Sequence, residues 1–230
     1  MNKKLNTHPF VSIIMPIRNE EDFIEKTIIS VCNQDYPKER MEIIVVDGDS
    51  NDKTPLLLEG LASKDNRLIV LTNPKQIVSS GLNLAIKKSK GDILIRVDGH
   101  LELDIQFIRN NIKLLDDHPE AWCVGGPIVH AGRNVFAKGL AFTMSSSLGV
   151  GNANHRKEGY KGYAEGAVFP AMRKEIFQKV GLFDEEFVRN QDDEFNFRVI
   201  QAGGKIFIDP CISHQYFVRE KPSQLWNQYL

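Results

Sequence analysis

The residues best suited to chemistry in this chain are polar and acidic side chains that follow short apolar segments. They occur at three places: Asn19 and Glu20, then Asp47, Asp49 and Asp52, then Asp98 and His100. Carboxylates crowded at one place repel each other unless a cation or the hydrogen-bond donors of a ligand lie among them. Oxygen and imidazole ligands together suit Mn²⁺, whereas carboxylates alone suit Mg²⁺. The pattern therefore predicts a cation or ligand site, provided that the fold brings the three places together.

Helix capping explains part of this pattern equally well. Asparagine and aspartate are good caps, each contributing about 1 kcal/mol, and Asn19 and Asp52 stand where helices are expected to begin. Asp98-Gly99-His100 is the sharpest of the three motifs, because residues i and i+2 of a strand point to the same side. We therefore expect Asp98 and His100 to reach one ion or its water shell together.

The elements that must position these residues alternate along the first half of the chain. Apolar runs predict strands at 11–16, 42–47, 68–71 and 92–98, and helical spacing predicts helices at 20–34 and near 78–85. Apolar strands with intervening helices are typical of an α/β fold whose mostly parallel sheet has helices on both faces. Ligands of such sheets bind outside the carboxyl ends of the strands, which is where the acidic motifs stand.

The second half is less regular and contains a second acidic cluster. The pattern predicts helices near 105–115, 173–180 and 192–202, strands near 122–124 and 205–208, and a long functional loop at 145–166. Asp192, Asp193 and Glu194 open the last helix. Acids in a first turn favour the helix dipole, and Glu194 with Arg198 forms an i,i+4 pair. One of these carboxylates could instead serve as a general base.

Composition excludes several classes of protein. With 29 basic and 30 acidic residues the net charge is −1, so no basic field attracts nucleic acid. The three cysteines, Cys32, Cys123 and Cys211, are far apart, which favours a cytoplasmic location over a disulfide framework or a zinc cluster. The sequence has neither a phosphate-binding P-loop nor a dinucleotide-binding glycine motif. It also has no signal peptide and no run of about 18 apolar residues.

Five motifs in order give the chain a recognisable likeness: V-S-I-I-M-P-I-R-N-E-E, I-V-V-D-G-D-S-N-D-K-T, G-D-I-L-I-R-V-D-G-H, K-V-G-L-F-D-E-E-F and N-Q-D-D-E-F-N-F-R. Together they resemble family 2 of the inverting glycosyltransferases, which have the GT-A fold, and most closely the bacterial succinoglycan-type exopolysaccharide enzymes. The likeness covers residues 9–230. It implies a single catalytic domain with a nucleotide-sugar half at about 9–100 and an acceptor half at about 101–230. Relatives often continue into membrane-spanning helices, so we expect a missing C-terminal membrane region.

The resemblance also implies roles for the first group of residues. Pro16, Asn19 and Glu20 shape the loop at the nucleotide. Asp47 contacts the base, which we expect to be uracil. The order Asp47-Gly48-Asp49 replaces the more common D-D-G, so Asp49 could share that role.

The remaining roles concern the metal, the diphosphate and the acceptor. Asp98 meets the donor diphosphate through Mn²⁺ or Mg²⁺, and His100 stands at the second acidic position of the family's D-x-D motif. Asp192 matches the catalytic base, with Gln191 in place of the glutamate that usually precedes it. Arg219 lies in the segment that approaches the diphosphate in relatives.

The expected activity is transfer of a sugar from a UDP-sugar to a glycan or lipid-linked acceptor in polysaccharide biosynthesis. Trp226 and Tyr229, in an amphipathic tail, would suit peripheral contact with the inner face of the cell membrane, although a helix packed on its own core explains them equally well. Two alternatives stay open: a sugar nucleotidyltransferase, and a non-catalytic nucleotide- or carbohydrate-binding domain of the same fold.

Overall fold

The computed structural model describes residues 5, 8–146, 154, 159–167, 169–212, 214–223 and 226. The strands are β1 (Val11–Ile17), β2 (Met41–Asp47), β3 (Leu68–Thr72), β4 (Ile93–Arg96), β5 (Leu101–Leu103), β6 (Ala121–Gly125), β7 (Val129–Ala131), β8 (Gly162–Ala164), β9 (Ala171–Arg173), β10 (Lys205–Ile208) and β11 (His214–Phe217). The helices are α1 (Ile24–Cys32), α2 (Thr54–Ala62), α3 (Val78–Lys88), α4 (Phe107–Asp117), α5 (Val135–Ser145), α6 (Ile176–Val180) and α7 (Gln191–Gln201).

Within the described residues, the main sheet has eight strands in the order β3-β2-β1-β4-β9-β6-β10-β8. Strands β1 to β4 are mutually parallel, and β6 is parallel to β10. Every residue of β1 and β2 is buried, as expected for central strands covered on both faces. The predicted mostly parallel sheet is confirmed.

The short strand β9 lies in the middle of this sheet, antiparallel to both β4 and β6. The sequence pattern predicted a helix from about Arg173, and that prediction is wrong at its start, because α6 begins only at Ile176. Three residues carry too little periodicity to reveal a strand. Ala171 to Arg173 become a strand because they fill the space between two edges formed elsewhere in the chain.

Side chains that alternate along the strands form two apolar layers. On one face, Ile13 and Met15 of β1 pack with α1, α2 and α4. On the other face, Ile14 of β1 packs with α3, α6 and α7. The period-two alternation of strands therefore accounts for helices on both faces of the sheet.

A second, smaller sheet, which the sequence pattern did not predict as a unit, borders the first. Its order is β5-β11-β7, with β11 antiparallel to β5 and parallel to β7. We call it the small sheet. Helix α5 follows β7 and is capped by Asn134, whose side chain accepts a hydrogen bond from the Ala137 amide at 2.8 Å.

Some predictions fall on parts of the chain that the structure does not describe. Of the predicted loop at 145–166, residues 147–153 and 155–158 lie outside the described residues, and the described end contains β8 rather than loop alone. Tyr229 also lies outside them. Among the described residues, none of the helices is long and apolar enough to cross a membrane.

Candidate active site

The loops that follow β1 and β2 are joined by side-chain hydrogen bonds. The Asn19 side chain accepts the Asn51 amide proton at 2.9 Å, and the Asn19 amide donates to the Ser50 hydroxyl at 2.8 Å. Asp52 accepts the Thr54 amide at 2.9 Å just before α2, but the N-cap of that helix is Lys53, without a side-chain cap bond. The capping interpretation is therefore wrong for Asp52 and also for Asn19, which instead joins the loops after β1 and β2.

Asp47 is buried at the end of β2, where the Ser50 hydroxyl donates to its carboxylate. Asp49 is exposed and accepts a hydrogen bond from the Gln76 side-chain amide at 2.9 Å. The two aspartates that the sequence left interchangeable therefore occupy different environments. Asp47 is fixed within its own loop and keeps acceptor sites for a ligand, whereas Asp49 reaches across to the loop after β3.

Backbone strain is concentrated near these loops. Asn19, Asp49 and Gln76 have positive φ values of 54°, 57° and 61°, and Asn190 before α7 has 55°. They are the described non-glycine residues in this region of backbone space. A residue such as Gln76 rarely adopts a positive φ, and residues with a strained backbone of this kind cluster at binding and catalytic sites.

Glu20, His100 and Arg219 form a hydrogen-bonded group behind the loop after β1, in which Glu20 and His100 are buried. The His100 Nδ1 lies 2.9 Å from the Glu20 carboxylate, and Arg219 donates to the same carboxylate at 3.3 and 3.4 Å. Burial alone would raise the pKa of Glu20, but His100 and Arg219 hold it below its usual range. Glu20 is therefore a carboxylate at neutral pH although it is only 5% exposed.

Asp98 is held by a neighbour that the sequence pattern did not single out. The buried Arg96 guanidinium donates to Asp98 at 3.0 and 3.3 Å. Burial would lower the pKa of Arg96, but the charges of Asp98 and Asp192 raise it above its ordinary value. The charge of Asp192 therefore reaches the Arg96 guanidinium that pairs with Asp98, although 94 positions separate the two aspartates in the chain.

The three acids that open α7 have different surroundings. Arg198 donates to Glu194 at 2.5 and 2.8 Å, so Glu194 belongs to the predicted i,i+4 pair. Asp193 is exposed. Asp192 is half-buried and lies in the field of Arg96. Asp192 thus differs from its two neighbours in its burial and in its effect on Arg96.

A cavity of about 380 Å³ opens at the carboxyl ends of β1 to β4. Its lining includes the following predicted site residues: Pro16, Glu20, Asp98, His100 and Arg219. A larger open groove of about 860 Å³ lies at the opposite ends of the same strands, around Met41 and Arg67. The smaller cavity is the better candidate, because ligands of parallel sheets bind beyond the carboxyl ends.

The predicted metal ligands do not stand side by side on a strand. Strand β4 ends at Arg96, so Asp98 and His100 lie beyond the strand and the i, i+2 argument does not apply to them. No cluster of three or more His, Cys, Asp or Glu side chains suited to a metal occurs in the described part of the chain. The donor set still fits a divalent cation that also takes ligand oxygens, because His100 Nε2 is buried without a partner and Asp98 retains acceptor sites.

Sequence reasoning missed three residues at this site. Arg96 and Gln76 engage Asp98 and Asp49, and Tyr216 lies edge-on to His100 with ring centroids 4.7 Å apart. Arg96 carried a signal, since a charged residue inside an apolar strand demands a partner. Tyr216 carried none, because its role depends on how the small sheet folds back.

The chain is similar to known proteins along most of its length. The model of the family "Glycosyl transferase family 2" matches residues 12–181. In Methanococcus voltae, a dolichyl N-acetyl-alpha-D-glucosaminyl phosphate 3-beta-D-2,3-diacetamido-2,3-dideoxy-beta-D-glucuronosyltransferase is 33% identical over 227 residues, which is 95% of this chain and 70% of that protein. The succinoglycan biosynthesis protein ExoA of Rhizobium meliloti is 32% identical over 94% of this chain and 66% of its own length.

The fold is also similar to that of a solved glycosyltransferase structure. The mannosyltransferase PcManGT of Pyrobaculum calidifontis, solved with GDP-Man and Mn²⁺, superposes with a TM-score of 0.72 at 20% identity, over 96% of this chain and 60% of that one. The chain thus spans about two thirds of the length of these proteins. The predicted GT-A fold and the resemblance to succinoglycan-type enzymes are both confirmed. The chain belongs to glycosyl transferase family 2.

Proposed function

We propose that this chain is the catalytic domain of an inverting, metal-dependent glycosyltransferase that uses a nucleotide-sugar donor. The observation that carries the proposal is the pairing of Arg96 with Asp98, in a position where Arg96 also feels the charge of Asp192. Asp98, which is suited to the donor, and Asp192, which is suited to proton transfer, are therefore both within electrostatic reach of one guanidinium. Asp98 follows β4 at the carboxyl edge of the sheet, where α/β folds bind ligands.

The reaction is a single displacement at the anomeric carbon of the donor sugar. An acceptor hydroxyl is a weak nucleophile near neutral pH, and Asp192 takes its proton as the new glycosidic bond forms. The bond from the anomeric carbon to the nucleoside diphosphate breaks at the opposite face, so the configuration inverts. Arg219, which lines the cavity, supplies positive charge to the departing diphosphate.

Asp98 and His100 are the residues that would hold a divalent cation, Mn²⁺ or Mg²⁺. Such a cation would supply positive charge that stabilises the departing diphosphate. PcManGT was solved with Mn²⁺ and GDP-Man, which supports the proposal of a divalent cation. The donor nucleotide itself is a proposal: uracil is expected from the resemblance, with Asp47 contacting the base.

The acceptor is proposed to be a glycan or a lipid-linked sugar, consistent with the dolichyl phosphate-linked acceptor in the name of the Methanococcus voltae relative. Helix α5 supports an acceptor at a lipid surface. Val135 and Phe142 are exposed over 89% and 79% of their surfaces, and α5 contains one lysine and no acid. Arg133 and Asn134, just before α5, bond to Glu220 beside the cavity residue Arg219. Contact with the inner face of the membrane is thus proposed for α5, together with the exposed Trp226.

The first experiment measures binding of UDP, GDP and ADP by thermal shift, with and without Mn²⁺. A ligand that binds only the folded state at about 100 times its dissociation constant stabilises that state by roughly 2.7 kcal/mol. We expect a rise with UDP that depends on Mn²⁺ and disappears in Asp98→Ala. A matched control is Asp22→Asn, which changes an exposed acid on the neighbouring loop.

Three outcomes are informative. A shift with GDP rather than UDP would keep the enzyme class and change the base. No shift with any nucleotide would contradict the proposal and favour a non-catalytic domain of the same fold. Release of pyrophosphate instead of a nucleoside diphosphate during turnover would identify a sugar nucleotidyltransferase.

A further inference from the structure

Glu20 is the most deeply buried acid at the cavity, and its surroundings are specific. Its carboxylate oxygen Oε1 lies 2.9 Å from the His100 Nδ1 and also accepts from Arg219, which donates to Oε2 as well. The Glu20 backbone amide is fixed separately, by donation to the Thr54 hydroxyl at 2.9 Å. Glu20 is therefore held at both its main chain and its side chain, which a residue that only shapes a loop does not require.

The glycine between Asp98 and His100 leaves room for Glu20. A Cβ atom added to Gly99 would lie 2.8 Å from Cγ of Glu20 and 3.0 Å from a methyl group of Ile17. The Gly99 carbonyl is also fixed, since it accepts a hydrogen bond from Thr27 at 2.9 Å. The turn that carries His100 is thus packed directly against the Glu20 side chain, and the two residues are placed as a pair.

The direction of the bond between them follows from chemistry. Arg219 keeps Glu20 ionised, and an ionised carboxylate only accepts hydrogen bonds. The proton must therefore be on His100 Nδ1. In the neutral imidazole, the lone pair is then on Nε2.

His100 Nε2 is buried and has no hydrogen-bond partner within the described part of the chain. A buried polar atom without a partner costs free energy, so such an atom is expected to serve a ligand. The ring cannot easily turn away, because Tyr216 and Phe23 lie against it edge-on. A histidine that binds a metal usually donates its other N–H to a carboxylate, which fixes its tautomer.

We propose that Glu20 is a positioning residue that fixes the Nδ1–H tautomer of His100, so that Nε2 is presented as a ligand for the divalent cation. The inference rests on the proposed function, because that function supplies the cation. The competing explanation is structural: a protonated His100 would form a buried ion pair with Glu20 and would bind no metal.

Two measurements test this on the full chain. The first is a long-range ¹⁵N–¹H NMR spectrum of the histidine rings without metal, in which His100 is identified by its loss in His100→Gln. We expect Nδ1 to carry the proton and Nε2 to carry the lone pair, as the hydrogen bond from Nδ1 to Glu20 requires. A doubly protonated ring, or the Nε2–H tautomer, would overturn the proposal without any variant of Glu20.

The second measurement is Mn²⁺ affinity in saturating UDP, followed by the electron paramagnetic resonance signal of free Mn²⁺. Loss of an outer-shell partner weakens metal binding by about 10–100-fold, which is the loss expected for Glu20→Gln. Glu25→Gln, the same change at an exposed position of α1, should have no effect. If Glu20→Gln does not fold, Gly99→Ala replaces it, because the added methyl displaces the Glu20 side chain.

The outcomes separate the two proposals. Unchanged Mn²⁺ affinity in a folded Glu20→Gln variant would contradict the role of Glu20 and leave the proposed function intact. Failure of the wild-type chain to bind UDP with Mn²⁺ would instead contradict the proposed function. A purely structural role would lower the thermal midpoint of Glu20→Gln and leave its Mn²⁺ affinity at the wild-type value.

Discussion

The carboxyl edge of the main sheet and the small sheet meet at His100 but are held together differently. At the carboxyl edge, side-chain hydrogen bonds join loops, as between Asn19 and Asn51, and buried charges such as Arg96 have partners. Aromatic contacts join the small sheet to its surroundings. Arg133, just after β7, lies 4.1 Å from the ring centre of Phe23, which precedes α1, and 5.3 Å from that of Phe217 in β11.

The difference suggests a division of labour between the two regions. Hydrogen bonds are directional and fix the atoms that they join, as a site for a diphosphate and a base requires. Stacked rings and cation–π contacts tolerate sliding, which suits an acceptor of variable shape. The carboxyl edge would therefore determine the donor, while the small sheet and α5 accommodate the acceptor. Four predictions can break or sharpen this comparison.

The largest effect should come from Asp192, the proposed catalytic base. In Asp192→Asn we expect kcat to fall by about 10²–10⁴-fold, because the acceptor hydroxyl loses its proton acceptor. Binding of UDP should not change. Asp193→Asn, on the neighbouring exposed residue, is the control and should retain its rate. Comparable rates in the two variants would disprove the assignment of the base.

The second prediction concerns the dependence of stability on pH, to which a buried histidine of the small sheet contributes. His214 of the small sheet is 2% exposed, and neither ring nitrogen has a partner among the described residues. Burial, helped by nearby His130, lowers the pKa of His214 from 6.5 to about 4. Between these values the unfolded chain binds more protons than the folded one, so stability falls as pH falls from 6.5 to about 4.

The free energy of unfolding falls by about 3 kcal/mol over that pH range, because a change of one pH unit contributes about 1.36 kcal/mol. We expect His214→Leu to flatten the dependence of the thermal midpoint on pH, while His8→Gln, at an exposed position, should follow the wild type. If the thermal midpoint of His214→Leu fell with decreasing pH as steeply as that of the wild type, the small sheet would be no more sensitive to acid than the carboxyl edge.

A third prediction compares two aspartates within the carboxyl edge. In Asp47→Asn we expect UDP affinity to fall by about 10–100-fold, since hydrogen bonds to charged groups contribute roughly 1.5–3 kcal/mol. Asp49→Asn should cost less than about 3-fold, because Asp49 is exposed and can keep its bond to Gln76. Isothermal titration with UDP and Mn²⁺ measures both. Equal losses would show that the two residues share contact with the base.

The smallest effect on stability should come from α5. Val135→Ser combined with Phe142→Ser should change the free energy of unfolding by about 0.5 kcal/mol or less, because both side chains face solvent. Cosedimentation with phosphatidylglycerol–phosphatidylcholine vesicles should fall by about 10-fold, on the loss of apolar area. Leu56→Ser, at an exposed position of α2, is the control. Equal binding by all three proteins would refute membrane contact through α5.

The sequence predicted one region far better than the other. Strands such as β1 and β2 are buried on both faces and carry continuous apolar runs, so the pattern alone assigns Asp47 to a strand end. Nothing local marks β9, which is three residues long. Its Arg173 is 4% exposed and bonds to the Leu115 carbonyl at 2.7 Å, a contact that only the tertiary fold creates.

The sequence predicted which residues belong to the site better than it predicted which of them bond to each other. Glu20, Asp98 and His100 were each identified, and the structure brings them to one cavity. The partners were not foreseen, because the pairs of Arg96 with Asp98 and of Glu20 with His100 depend on where β4 ends. If β4 continued through His100, its side chain would point along that of Asp98, and Glu20 would lack its partner.

The central position of β9 has a consequence for how the chain is made. Until Ala171 leaves the ribosome, β4 has β1 on one side and no neighbour on the other. An apolar strand with a free edge is a template for pairing with other chains. Contacts between residues that are far apart in the sequence also form slowly. Nascent chains of this protein therefore pass through a stage in which half of the sheet is built and its inner edge is exposed to association.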